Sequence, residues 1–179
     1  FTENQIRLNQ AGKLGLNYWD TSTGYNDGKS ELGFGQFFEK HPGVREKLFV
    51  VTKCGDRSPK GLEASLDQSL ERMKIKRVDL FFFWYIEDIA EVDKPELKAW
   101  AEQAKKAGKI RFIGLSTHKN MAPVMSGAAK LGWLDGLMTA YNYRNMHDDD
   151  MKQAVDACVK AGLGVTAMKV QGGGPINDT

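Results

Sequence analysis

Apolar residues along this chain change period as the sequence is read. In some segments they recur every three or four positions, and in others they form short unbroken runs. The residues 3–11 read as an amphipathic helix closed by Gly12, with Gly15 as further punctuation. A strand is predicted over 17–21, then a turn-rich stretch over 24–29. The next helix runs over 30–39, with Ser30 as its N-cap and Leu32, Phe34, Phe37 and Phe38 as its apolar residues. His41, Pro42 and Gly43 break it. The run 48–52, LFVVT, is a short buried strand ending at Lys53. Ser58 and Pro59 then open a helix carrying Leu62, Leu66, Leu70 and Met73 at helical spacing. The run 78–84, VDLFFFW, is apolar on both faces, as a strand covered on both sides requires.

The same alternation continues to the end. Pro95 starts a helix with Leu97, Trp100, Ala101 and Ala104 on one face, closed by Gly108. A strand over 110–115 ends at Ser116, and a helix over 121–131 closes at Gly132. The segment 134–141 holds a strand ending at Asn142. Asp148, Asp149 and Asp150 then favour a helix start through the macrodipole. That helix is predicted to turn Met151, Ala154, Val155, Cys158 and Val159 inward and to close at Gly162. The last strand, 163–168, ends at Lys169 and is followed by Gly172, Gly173 and Gly174. Gly12, Gly108, Gly132 and Gly162 each end a helix that runs into a strand, a weak internal repeat.

Six strands alternating with helices predict a parallel α/β fold. Polar or chemically capable residues fall at the same end of every strand: Asp20, Lys53, Trp84 with Glu87 nearby, Ser116, Asn142 and Lys169. That is the habit of a (β/α)8 TIM barrel, whose sites lie at the C-terminal strand ends. A doubly wound sheet would bring a Gly-rich phosphate fingerprint after an early strand, and GxGxxG is absent. A closed barrel takes about 250 residues. The 179 residues here predict one partial barrel domain over 1–179, short of a first and a last βα unit.

Composition narrows the reading. Hydrophobic residues make up 41% and the net charge is +2, with no dense basic patch, so neither nucleic acid nor membrane is an expected partner. Cys54 and Cys158 are expected to be reduced thiols. The expected location is the cytoplasm, although the chain begins at Phe1 and a removed export leader is an open alternative.

The stretch 16–25, LNYWDTSTGY, carries the candidate chemistry. It begins as a strand and delivers Asp20 and Tyr25 to a surface. A Lys ammonium beside a phenol favours its ionised form, and a carboxylate would hold that Lys in place. Asp20, Tyr25 and Lys53 thus make a tuned general acid, able to protonate an oxygen as hydride reaches a carbon. A structural Asp20–Lys53 ion pair is the bland alternative. His147 beside three Asp reads as a solvated helix start rather than a metal site, and His118 as a loop residue. Cys54 reads as an inert thiol rather than one activated by Lys53.

These residues resemble the aldo-keto reductase family along nearly the whole chain. Asp20-Thr21 with Tyr25, followed by Glu31-Leu32-Gly33, is similar to the family's first catalytic segment. Val51-Thr52-Lys53 resembles its Thr-Lys strand end. Ser69-Leu70 with Val78-Asp79-Leu80, and Gly108-Lys109-Ile110-Arg111 with Ile113-Gly114-Leu115-Ser116, resemble two further signatures. The stretches 114–118 and 167–174 are more similar to a bacterial branch in which some members carry an iron–sulfur tail.

The resemblance implies a (β/α)8 barrel and NADPH-dependent reduction of small aldehydes or ketones, NADH being the alternative cofactor. It implies Tyr25 as acid, Lys53 as its tuner and Asp20 as the Lys partner. Ser116 and Thr117 match positions that hold the nicotinamide carboxamide. Asn142 lies at another cofactor-facing strand end, and Met168 sits where many members stack an aromatic on the nicotinamide ring. From the residues themselves, Lys169 reads equally as a cofactor contact or a barrel-mouth charge, and Gly172 to Gly174 as a phosphate nest or a flexible tail. Trp84 stands where the family places a catalytic His; an indole donates one hydrogen bond and accepts none. Tyr85 would substitute only if the strand shifted by one residue. Trp19 and Trp84 are both expected near the barrel mouth. A non-catalytic nicotinamide sensor or partner subunit is the second reading, prompted by Trp84.

Overall fold

A computed structural model describes residues 2–172. Helices and strands alternate in the order α1 (Thr2–Lys13), β1 (Tyr18–Asp20), α2 (Lys29–Lys40), β2 (Phe49–Cys54), α3 (Pro59–Met73) and β3 (Val78–Phe83). The chain continues through α4 (Pro95–Lys106), β4 (Ile110–Thr117), α5 (Met121–Leu131), β5 (Gly136–Ala140), α6 (Asp149–Lys160) and β6 (Gly164–Met168). The strands form one sheet in the order β1-β2-β3-β4-β5-β6. The pairs β1–β2, β4–β5 and β5–β6 are parallel, with Asp20 opposite Val51, Thr117 opposite Thr139 and Ala140 opposite Met168. Parallel neighbours need a crossover, and each gap between strands supplies a helix for it. The chain divides into two compact units, Phe1–Phe81 with Trp100–Arg111, and Phe82–Ala99 with Phe112–Thr179.

In the first unit, Val50 and Val51 of β2 and Leu62, Leu66 and Met73 of α3 have no exposed surface. Side chains of this kind contribute about 1.5–3 kcal/mol each when fully buried. Trp19 points under α2, with its ring 5.5 Å from Phe34, 5.1 Å from Phe37 and 6.2 Å from Phe38. Its indole N–H donates to the Leu16 carbonyl at 2.7 Å. Trp19, 5% exposed, is therefore a core residue and not one at the mouth of a barrel. The helices α2 and α3 approach closely at Gly35, where a Cβ would lie 2.2 Å from the Arg72 carbonyl oxygen. At the start of β3, buried Asp79 accepts from the Val50 backbone N–H and from Arg111, and pairs with Arg45, each at 2.8 Å. Lys109 bridges Glu63 and Asp67 beside Trp100, whose N–H donates to Glu63 at 2.9 Å.

In the second unit, Phe82, Phe83, Ile113, Leu115 and Leu137 have no exposed surface, and Val124 and Met125 of α5 and Met151, Ala154 and Cys158 of α6 are buried as well. At Gly114 a Cβ would meet the Gly136 carbonyl oxygen at 2.1 Å, so only glycine lets β4 and β5 run this close. The strand β6 is covered least, with Gly164, Val165 and Ala167 exposed.

Four sequence expectations shift. Helix α1 closes at Gly15, not Gly12: Leu16 N–H donates to Ala11 O and Gly15 N–H to Gly12 O, a Schellman closure with Gly15 at φ 72°. Helix α2 starts one residue early, capped by Gly28 at φ 81°, and Ser30 lies inside it, where its Oγ accepts from Thr21 Oγ1 at 2.8 Å. Val159, expected inward, is 64% exposed, and Leu32, one of the apolar residues of its helix, is 39% exposed, because each sits one position off the buried stripe. The β3 strand ends at Phe83, leaving Trp84 just beyond it.

Candidate active site

The first unit brings Asp20, Lys53 and Tyr25 together. Asp20 ends β1 opposite Val51, and Lys53 lies in β2 two residues beyond that partner. Lys53 is 2% exposed. Its ammonium donates to both Asp20 carboxylate oxygens, at 2.7 and 2.6 Å, and to the Thr21 carbonyl at 2.9 Å. The same ammonium lies 4.9 Å from the centre of the Tyr25 ring, and Tyr25 is 37% exposed. A buried cation is thus held by one carboxylate and one carbonyl beneath an accessible phenol. Burial pushes the Asp20 carboxyl above its ordinary range, against the charge and hydrogen bonds of Lys53, which pull it down.

The loop carrying Tyr25 is tied to β2. The Lys53 carbonyl accepts from Ser22 Oγ at 3.1 Å, Thr23 Oγ1 at 3.2 Å and Thr23 N–H at 3.1 Å. Past Tyr25, Asn26, Asp27 and Gly28 all lie at positive φ, 49°, 53° and 81°. Sequence reasoning missed what closes this loop from below. Glu31, without exposed surface, accepts from Thr52 Oγ1 at 2.7 Å and pairs with Arg72 at 3.2 Å. Arg72 also donates to the Thr23 carbonyl at 3.3 Å. Glu31 was in view as part of the Glu31-Leu32-Gly33 motif, but nothing in the sequence pointed to Arg72 as its partner.

The remaining candidates lie in the second unit. Trp84 is half-buried, and Tyr85 follows at φ 64° with its N–H donating to Ser116 Oγ at 3.0 Å. Tyr85 stays outside β3, exposed, stacked on His118 at 4.8 Å. Ser116 and Thr117 end β4 without exposed surface, and Thr117 Oγ1 donates to the Lys119 carbonyl at 2.8 Å. Asn142, past β5, donates its amide to the Lys169 carbonyl at 3.0 Å, and that carbonyl also accepts from Gly172 N–H at 2.8 Å. The Met168 carbonyl accepts from Tyr141 N–H at 3.2 Å. Asn142, Met168, Lys169 and Gly172 therefore form one cluster, with Lys169 at φ 53° and Gly172 at φ 80°. Gly173 and Gly174 lie outside the described residues.

Other chemistry is quiet. Burial raises both thiols, Cys158 to about 11. Among the described residues no group of three His, Cys, Asp or Glu could hold a metal, and no helix is long and apolar enough to cross a membrane.

Comparison with known proteins bears on the fold and the family. An NADP(+) aldo-keto reductase of Schizosaccharomyces pombe is 33% identical over 125 residues, covering 63% of this chain and 36% of that protein. An NADH-specific methylglyoxal reductase of Escherichia coli is 32% identical over 126 residues, covering 59% and 38%. The chain spans less than half the length of these curated relatives. Among solved structures, a Bacillus halodurans aldo-keto reductase in its holo form superposes with a TM-score of 0.76 at 23% identity, over 91% of this chain and 55% of that one. A Klebsiella pneumoniae aldo-keto reductase in complex with NADPH gives 0.74 at 21%, over 98% and 61%. These likenesses show the fold, an incomplete (β/α) barrel of six βα units. The model of the Aldo/keto reductase family matches residues 1–178, and the chain belongs to that family.

Proposed function

We propose that the protein reduces a small aldehyde or ketone with a nicotinamide cofactor, NADPH before NADH, and that Tyr25 is the proton donor. The observation that carries this is the buried Lys53 ammonium, fixed by both oxygens of Asp20 and set 4.9 Å from the centre of an accessible Tyr ring. A structural ion pair needs no phenol beside it. A bound nicotinamide supplies the hydride to the carbonyl carbon. Tyr25 gives its hydroxyl proton to the carbonyl oxygen, Lys53 steadies the charge left on the phenol, and Asp20 holds Lys53 in place.

The cofactor half of the reading rests on Ser116, Thr117, Asn142, Met168, Lys169 and Gly172. Their chemistry fits an amide-bearing ring. Ser116 Oγ accepts from Tyr85 and keeps its proton to donate, whereas Thr117 Oγ1 spends its proton and keeps lone pairs to accept. A primary carboxamide asks for one group of each kind. Asn142 steadies the Met168–Gly172 segment through the Lys169 carbonyl.

The test is NADPH and NADH oxidation followed by absorbance, over a panel of aldehydes and ketones that includes methylglyoxal. Tyr25→Phe should lower turnover by about 10²-fold or more with cofactor affinity nearly intact. Unchanged turnover would remove Tyr25 from the mechanism. The indole at Trp84 favours one second reading, a nicotinamide-binding subunit without turnover. Saturable cofactor binding with no reduction across the panel would select it.

A further inference from the structure

We propose that Arg72 is the positioning residue for Tyr25. The inference rests on Tyr25 being the proton donor, and it assigns a role to a side chain well down α3 that touches neither phenol nor Lys53. Arg72 is anchored twice. Its backbone carbonyl lies under Gly35, where a Cβ would approach to 2.2 Å. Its guanidinium lies under Gly28, where a Cβ would come within 2.4 Å of Cζ. Between these contacts the guanidinium pairs with Glu31 at 3.2 Å and donates to the Thr23 carbonyl at 3.3 Å.

The segment it grips is the one that needs gripping. Thr23 and Gly28 bracket Tyr25, and Asn26, Asp27 and Gly28 are consecutive residues in the left-handed region. Asn and Asp tolerate that region better than most side chains, yet such a run persists only where the surroundings over-determine it. Arg72 holds the segment at both ends, through the Thr23 carbonyl before Tyr25 and the α-carbon of Gly28 after it. Glu31, with no exposed surface, fixes the guanidinium and, through Thr52 Oγ1 at 2.7 Å, ties it to the residue preceding Lys53. One ion pair therefore registers the phenol loop against the strand that carries the ammonium. A planar guanidinium can lie flat against Gly28 while donating elsewhere; an ammonium cannot.

The experiment compares Arg72→Lys and Arg72→Met with the parent protein by hydrogen–deuterium exchange and by steady-state kinetics with NADPH and methylglyoxal. Arg72→Lys keeps a charge for Glu31 and guards against loss of the fold in Arg72→Met. Exchange over residues 23–28 should rise about tenfold in either variant, with the amides of α3 and β2 as protected as before. The kcat should fall about 10- to 100-fold while both KM values stay within about twofold, since the loss is of orientation and not of binding. Unchanged exchange over 23–28, or an Arg72→Lys protein with parental kcat, overturns the proposal. A parent protein that turns over nothing on the panel, with loop exchange still rising in the variants, keeps Arg72 as the loop's anchor and refutes the reductase reading instead.

Discussion

Replacing Asp79 with Asn perturbs the start of β3, away from Asp20 and Lys53. Asp79 is 2% exposed, at the start of β3. It accepts from Val50 N–H and Arg111 and pairs with Arg45, all at 2.8 Å. Burial alone would raise its carboxyl, but the Val50 N–H and the two guanidinium groups outweigh burial and hold it below the usual range. Asn keeps an acceptor for Val50 and loses the charge. Breaking a fully buried pair costs about 3–5 kcal/mol. Here Arg45 and Arg111 retain 18% and 46% of their side-chain exposure and can rehydrate, so about 2–3 kcal/mol is the expected loss. For a chain of this size that lowers Tm by about 4–12 °C.

The pH dependence follows from the sign of the shift. A carboxyl with a depressed folded pKa stabilises above its unfolded pKa, and that stability disappears as pH falls through the folded value. Urea and thermal unfolding of both proteins should show the full gap from about pH 5 upward and a closing gap toward about pH 2. A gap of equal size at pH 3 and pH 7, or one below about 0.5 kcal/mol throughout, would refute the reasoning. Turnover per folded molecule should not change.

Asp20 should behave in the opposite way. Burial raises its carboxyl, and a raised folded pKa gives stability that is present below the unfolded pKa and lost as pH rises through the folded one. Asp20→Asn leaves the buried Lys53 ammonium without its counter-charge, so a loss of about 2–3 kcal/mol at pH 7 is expected, and kcat per folded molecule should drop by about 10²-fold as Lys53 loses its anchor; a kcat per folded molecule equal to that of the parent would make the pair structural. Trp84→His places a group that both donates and accepts just beyond β3 and should raise carbonyl reduction by about tenfold. Turnover equal to that of the parent would show that position 84 does not meet the carbonyl.

Period and punctuation carried most of the fold into view. The run VDLFFFW fits a covered strand, and Ser58-Pro59 fits a helix start; the strand stands without its last residue, Trp84, and the helix opens with Ser58 Oγ accepting from Gly61 N–H at 3.1 Å. Asp20 and Lys53 were legible because each ends an apolar run with a charge, and only a partner makes that tolerable. What stayed hidden depends on contacts between elements. Ser30 looked like a cap, but Gly28 takes the left-handed position that the preceding loop demands. Gly12 read as the close of α1, and the hydrogen bonds give that place to Gly15. Trp19 borders Asp20 in sequence, yet alternation along a strand sends neighbours to opposite faces. Arg72 reads as one more charge on α3, and only Gly28, Gly35 and Glu31 show what it grips.

The strand order follows the order of the chain from β1 to β6. Tyr18 pairs with Phe49, Gly114 with Gly136 and Gly136 with Gly164, so each of these junctions closes over a few tens of residues. No strand must wait for a distant partner. A chain emerging from the ribosome can add each strand to an edge already formed, with a helix in hand to cover it. The architecture is thus suited to growth by accretion during synthesis, each new unit templated by the one just finished.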